Sequence, residues 1–206
     1  MKSFLRLAPV LGIMIAGSVI TGCTSGEERL AKEVPGVWQG TPETFTDNAA
    51  LTASIIDVYE FSPASMTANE TLTGSVTVTG MVNTTTQIVD SAFIEPLSLS
   101  AAAHTTISGT WTVVDDDEIV LSFDLSSLSV QVDPKAVAAN NTPITIGTPA
   151  VDSLRPELCA NIEHSVKQSL TARYAAMRHM DDVKIKGPLL KYESGHEDFV
   201  LTKQMD

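Results

Sequence analysis

The side chains able to do chemistry in this chain are many, but their spacing groups few of them. Asp115-Asp116-Asp117-Glu118 offers the oxygens a hard cation wants. The run lacks the spaced acids and the glycine of an ion-wrapping loop and sits where a hairpin must turn in water, so it reads as a solvated turn. His104, His164, His179 and His196 are dispersed, and no two lie four apart on a helix, so a preformed zinc pair is absent. His196-Glu197-Asp198 could meet Asp181-Asp182 in space, although loop polarity explains these residues more simply. There is no Gly-x-Ser-x-Gly elbow and no glycine-rich phosphate loop, and serines are too common for a Ser-His-Asp grouping to carry meaning. Trp38 and Trp111 remain, either as walls of an apolar ligand pocket or as core residues on inward strand faces. The expectation is a protein that is not an enzyme, with no cofactor and no metal site.

The cysteines separate by position. Lys2 and Arg6 precede an apolar run from Leu7 to Ile20, broken by Pro9, Gly12 and Gly17. This is a signal-peptide core, shorter than the roughly 20 residues of a membrane span. It ends in Ile20-Thr21-Gly22-Cys23, which resembles the lipobox of bacterial lipoproteins. The resemblance implies cleavage before Cys23 and acylation of that cysteine, so residues 1–22 are the leader and 23–35 a lipidated cysteine and tether. Each buried methylene contributes about 0.8 kcal/mol, and two or three chains anchor stably. Thr24 after the cysteine fits outer-membrane delivery, and Glu27-Glu28 looks like an acidic surface-export signal, so the body lies at the periplasmic face or on the cell surface. Cys159 then has no partner for an intramolecular disulfide and reads as a small hydrophobe on a helix face.

Charge narrows the partners. Removing Lys2 and Arg6 leaves 11 basic against 25 acidic residues, a mature charge of −14. Such a chain repels phosphate backbones, which excludes nucleic acid, and it repels anionic headgroups, which leaves the acyl chains on Cys23 as the membrane attachment.

From Gly36 to about Val132 the chain is rich in Thr, Ser and Val and breaks at turn signals, the pattern of many short antiparallel strands. Gly36 to Gly40 opens the series and Leu51 to Phe61 follows, with Ile55-Ile56 marking a bulge or a strand covered on both faces. Leu72 to Gly80 is a third strand, Gln87 to Leu99 a fourth with Pro96 at a bulge or an edge, and Leu128 to Val132 a separate late one. Ile107 to Val113 and Ile119 to Phe123 form the clearest hairpin, around the acidic turn. Asn140 to Pro149 reads as loop, although Ile144 to Ile146 could pair briefly. The period then changes: Leu158, Ile162, Val166, Leu170 and Met177 share one stripe of a helix over about 153–180, with Asp152 or Ser153 as cap. Leu189 to Tyr192 and Phe199 to Thr202 close the chain as a hairpin. Asp90-Ser91-Ala92 and Asp152-Ser153-Leu154 also match a short bacterial O-glycan acceptor pattern.

This order of elements resembles the lipocalin-like (calycin) barrels, whose Gly-x-Trp on the first strand is matched by Gly36-Val37-Trp38 and again by Gly109-Thr110-Trp111. The resemblance implies one mainly β domain over 36–206, an antiparallel barrel with one amphipathic helix before the last strands, packed on the barrel's outside. It also implies a cation lying over the tryptophan, for which Lys203 or Lys191 is available. A β-sandwich with an added helix is the competing architecture. Function follows the same fork: a small apolar ligand or a protein partner bound at the envelope, or a structural and assembly lipoprotein whose barrel is filled by its own side chains.

Overall fold

The computed structural model describes residues 26–47, 51–88, 97–139, 142–143 and 149–205. Cys23 with its leader, Ser91 and the segment Ile144 to Ile146 lie outside these residues. Strand formation follows side-chain alternation. On Leu51–Phe61 the residues Leu51, Ala53, Ile55, Asp57, Tyr59 and Phe61 are all buried, while the residues between them face outward. In chain order the strands are β1 (Gly36–Gln39), β2 (Glu43–Asp47), β3 (Leu51–Phe61), β4 (Ser65–Met66), β5 (Leu72–Ile88) and β6 (Leu97–Val113). They continue with β7 (Ile119–Val132), β8 (Ala138–Ala139), β9 (Thr142–Pro143), β10 (His179–Lys186), β11 (Leu189–Ser194) and β12 (Glu197–Lys203). Two helices accompany them, α1 (Gly26–Glu33) and α2 (Pro149–Ala176).

All twelve strands belong to one antiparallel sheet. Its pairing returns on itself through β1, β3, β5, β6, β7, β10, β11 and β12, with β12 pairing back to β1, so these eight form a ring in chain order. A ring leaves its members no long open edge. It is unevenly closed: β5 and β6 pair from Leu72↔Val113 to Ile88↔Leu97, whereas β7 and β10 meet at His179↔Val120 and Met180↔Ile119.

Several boundaries differ from the sequence expectation. The stretch Gln87 to Leu99 does not supply a separate strand: Gln87 and Ile88 end β5 opposite Ser98 and Leu97, which begin β6. Leu128 to Val132 continues β7, whose register shifts opposite Ile107. There Asp124 accepts from the Ser126 amide and hydroxyl, and Ser127 Oγ accepts from the Ser108 amide, a bulge held by short polar side chains inside a continuous strand. The helix stops at Ala176, and the residues expected to finish it begin β10.

The tether is also more than a linker. Residues 26–33 coil into α1, with Glu27 and Glu28 in its first turn and Lys32 in its last, as the helix dipole favours. Leu30 and Val34 are fully buried in the main core, so this segment closes over the ring. Arg29 reaches the Asp116 carbonyl at 3.2 Å, docking α1 against the acidic turn between β6 and β7.

The described inner face carries many large buried side chains. Trp38, Tyr59, Phe61, Trp111, Leu30, Leu170 and Tyr174 are among the largest fully buried side chains. The stripe of α2, namely Cys159, Ile162, Val166, Leu170 and Tyr174, joins the same cluster, as does Met177 just past the helix, whose Sδ accepts from the Tyr59 hydroxyl at 3.5 Å. The helix therefore lies against the inward face and not on the outside. The cause is the unequal strand lengths: where β5, β6 and β7 outrun their short neighbours their inner face would be bare, and α2 covers it, mainly along β7.

Candidate functional site

The densest polar grouping on the inner face forms where β2, β3 and the last turns of α2 converge. Period-2 alternation turns Asp57 inward among Ile55, Tyr59 and Phe61, where a carboxylate is costly unless paired. Helical spacing brings Arg173 and Tyr174 to meet it. Arg173 Nη1 lies 2.7 Å from Asp57 Oδ2, Arg173 Nη2 lies 2.8 Å from Glu43 Oε2, and the Tyr174 hydroxyl donates to Asp57 Oδ1 at 2.9 Å. The side chains of Asp57 and Arg173 are 4% and 13% exposed, so this pair is far better shielded from solvent than a surface bridge.

The electrostatics match. Burial pushes the Asp57 carboxyl above its ordinary value, with the Arg173 charge and the Tyr174 hydroxyl pulling it back. Burial alone would lower Arg173, but the Asp57 charge leads the effects that drive it upward. Tyr59, Tyr174 and Tyr192 are all raised, by burial first, and stay protonated. One guanidinium thus serves two carboxylates inside a jacket of neutral phenols. This arrangement pins a helix to a sheet. A general acid or base would need an open line to substrate, and the Asp57 oxygens are already occupied by α2.

One buried polar atom in this neighbourhood has no partner. Thr105 Oγ1 is enclosed with no hydrogen bond, and a Cβ built on Gly80 would come within 2.4 Å of it and 2.9 Å of Asp57 Oδ1. Leaving a hydroxyl buried and unmet costs about 1–3 kcal/mol. Thr105→Val, which keeps the shape and removes the orphan, is therefore expected to raise the thermal midpoint by about 2–4 °C. A midpoint that falls in differential scanning calorimetry would show that the hydroxyl is bonded after all.

The two tryptophans fall on the core side of the choice left open by the sequence. Both are fully buried; Trp38 Nε1 donates to the Val34 carbonyl at 2.7 Å and Trp111 Nε1 to the Ser62 carbonyl at 3.2 Å. Lys203 Nζ stands 4.9 Å from the Trp38 ring centre and 3.3 Å from the Pro35 carbonyl. Gly36 has φ 129°, a conformation side chains avoid, and a Cβ there would meet the Lys203 stem at 3.0 Å. The glycine of Gly36-x-Trp38 therefore makes room for the cation that covers the tryptophan.

Clefts of about 330–470 Å³ open on the surface. One of about 380 Å³ separates β2 from the β11–β12 turn, with Arg173 and Ala176 of α2 and the following Met177 among its lining. Another, about 470 Å³, runs over the outer face past Ile56, Val58, Met81 and His104. Ile56 thus faces this outer groove while Ile55 faces the core, which accounts for the doublet. Cys159 is buried on the α2 stripe and forms no disulfide.

The histidine grouping differs from the one the sequence offered. His196 is fully exposed beside Glu193, whereas Asp181 is approached by His179 and Glu118. His179 was the harder to place because the expected helix ran over it. Among the described residues no helix is long and apolar enough to cross a membrane. No protein-family model matches the chain, and no curated protein is found to be similar to it.

Proposed function

We propose that this is a lipid-anchored, non-catalytic protein of the cell envelope, held at the outer membrane by acyl chains on Cys23. Its lipocalin-like barrel is filled by its own side chains and serves a structural or assembly role through its outer surface. One observation carries the choice of scaffold over small-ligand carrier: the positions that would wall a ligand pocket, Trp38, Tyr59 and Trp111, are 0–2% exposed and packed into a core that includes α2. A ligand of drug size needs several hundred Å³ of its own, and here that space holds Leu170, Tyr174 and the Asp57–Arg173 pair.

The barrel reading is supported by the closed ring of strands and by Lys203 over the tryptophan of Gly36-x-Trp38. The chain departs from the family in placing three strands of the ring after the helix. Cys23 precedes the first residue of α1 by three positions, a reach of about 10 Å at most. An acyl anchor there keeps the α1 end of the body, with the Asp116 turn beside it, at the headgroups, and leaves the far end free for partners.

Mass spectrometry of protein purified from its own cells tests both halves. Under denaturing conditions the mass should equal the chain from Cys23 onward plus acyl groups; under native conditions it should gain nothing more. An unmodified Cys23 removes the anchor, and a stoichiometric small molecule released on denaturation removes the filled scaffold.

A further inference from the structure

We infer that Glu118, His179 and Asp181 form a surface site for a borderline divalent cation of the zinc type, placed so that the ion staples one of the two seams of the ring that share only two paired rungs. Their ligand atoms all lie within 4.8 Å of one another. The backbone sets this up. On β10, His179 and Asp181 flank the buried Met180 and so point outward together. Met180 pairs with Ile119 of β7, which brings Glu118, one residue earlier, alongside them. Glu118 Oε1 and His179 Nδ1 are already 2.8 Å apart. A tetrahedral ion with bonds of about 2.0–2.2 Å holds its ligand atoms about 3.3 Å apart, inside the 4.8 Å bound, so the three side chains stand near enough to share one ion.

The donor set selects the ion. One imidazole with two carboxylates suits zinc and its neighbours in the first transition row, whereas calcium takes six to eight oxygens and gains nothing from the ring nitrogen. The surroundings favour a cation for a separate reason. Asp181 stands directly opposite Glu193 on β11, and Glu193 opposite Asp198 on β12, a row of like charges that costs stability in a sheet. The nearby ammonium of Lys184 is drawn to Asp182 at 2.7 Å by the bulge between Asp181 and Lys184, where Asp182 takes φ 54°. Among the described residues no cationic side chain pairs with Asp181. Since β7 and β10 share two paired rungs, as few as β1 and β12, an ion held by a residue next to β7 and two residues of β10 would bridge a short seam.

The full-length acylated protein, stripped with chelator and held in detergent, is titrated with zinc chloride by calorimetry and melted with and without the ion. One zinc per chain and a midpoint raised by several degrees at saturation are expected. His179→Ala should weaken binding at least tenfold, and Glu118→Gln and Asp181→Asn about tenfold each; His196→Ala should change nothing. All three ligand positions are at the surface, so circular dichroism should show these variants folded. No zinc heat, equal stabilisation by calcium, or zinc affinity that survives His179→Ala would each overturn the site.

Discussion

Arg173→Ala should be the most damaging single change away from the hydrophobic core, costing about 3–5 kcal/mol, because it strands a buried carboxylate without its partner. Asp57 is 4% exposed and bonded to Arg173 at 2.7 Å, so water cannot take over the lost interaction. Glu43 loses its guanidinium contact at the same time, and the end of α2 loses its tie to β2 and β3. A loss of that size lowers the thermal midpoint by roughly 10 °C in a domain of this length, measurable by calorimetry. A deficit under about 1 kcal/mol would mean that the pair is solvated like an ordinary surface bridge.

Two companion measurements separate the stranded charge from lost packing. Adding Asp57→Asn to Arg173→Met removes both charges and keeps an oxygen for the Tyr174 hydroxyl, so the double variant should recover much of the loss, with a coupling of about 1–3 kcal/mol. The second measurement is pH. Asp57 already sits above its ordinary value because of burial, with Arg173 the largest influence holding it down, so removing Arg173 drives it higher still. An acid whose folded value exceeds its unfolded one binds protons more readily when folded, and its stabilising contribution is lost as pH rises through the folded value. The Arg173→Ala deficit should therefore shrink as pH is lowered from 7 toward 5. A deficit that stays constant over that range would assign it to packing.

How the sequence foretold some elements and missed others has local causes. Leu51–Phe61 was legible to the residue because six alternate positions all bury on one side. The hairpin around Asp115–Asp117 was equally clear, since Ile107 to Val113 and Ile119 to Phe123 answer one another across it. β10 was hidden by its own bulge: with Asp182 in a left-handed turn, its inward residues fall at Met180, Val183 and Ile185, a spacing that continues the helical stripe through Met177. α1 was hidden by charge, because in GEERLAKE a single leucine is buried and the helix depends on Val34 just beyond it.

The polar cluster could not be read from the chain at all. Asp57 lies in a strand pattern that would bury any residue at its position, but its partners stand 116 and 117 residues away. Register between distant strands likewise decides which histidine meets which acid, and His196, the one beside a Glu-Asp pair in sequence, is fully exposed. Lys203 is different: it and Lys191 were the two cations available for the tryptophan, neither set in a matching motif, and the pairing Trp38↔Lys203 puts Lys203 over the ring.

Trp38→Ala should cost about 3–5 kcal/mol, the range for removing a large buried aromatic side chain, and its effect should spread to α1. The indole joins three things at once. Its ring fills the core, its Nε1 holds the Val34 carbonyl at 2.7 Å just past α1, and its face carries the Lys203 ammonium, which in turn reaches the Pro35 carbonyl. Removal opens a cavity, leaves the Val34 carbonyl buried without its donor, and frees the lysine that covers the start of β1. Trp111 has a carbonyl partner, Ser62, but among the described residues no cation over its ring, so Trp111→Ala should loosen the β5–β6 side and leave α1 docked. Hydrogen exchange can tell these apart: amides of Leu30 to Gln39 should lose protection in Trp38→Ala and keep it in Trp111→Ala. Conservative Trp38→Phe, which keeps most of the ring but not the N–H, should still speed exchange around Val34, with a stability loss nearer 1–2 kcal/mol. If exchange rose equally across the ring in both alanine variants, Trp38 would be one packing residue among many and not the joint between α1 and the first strand.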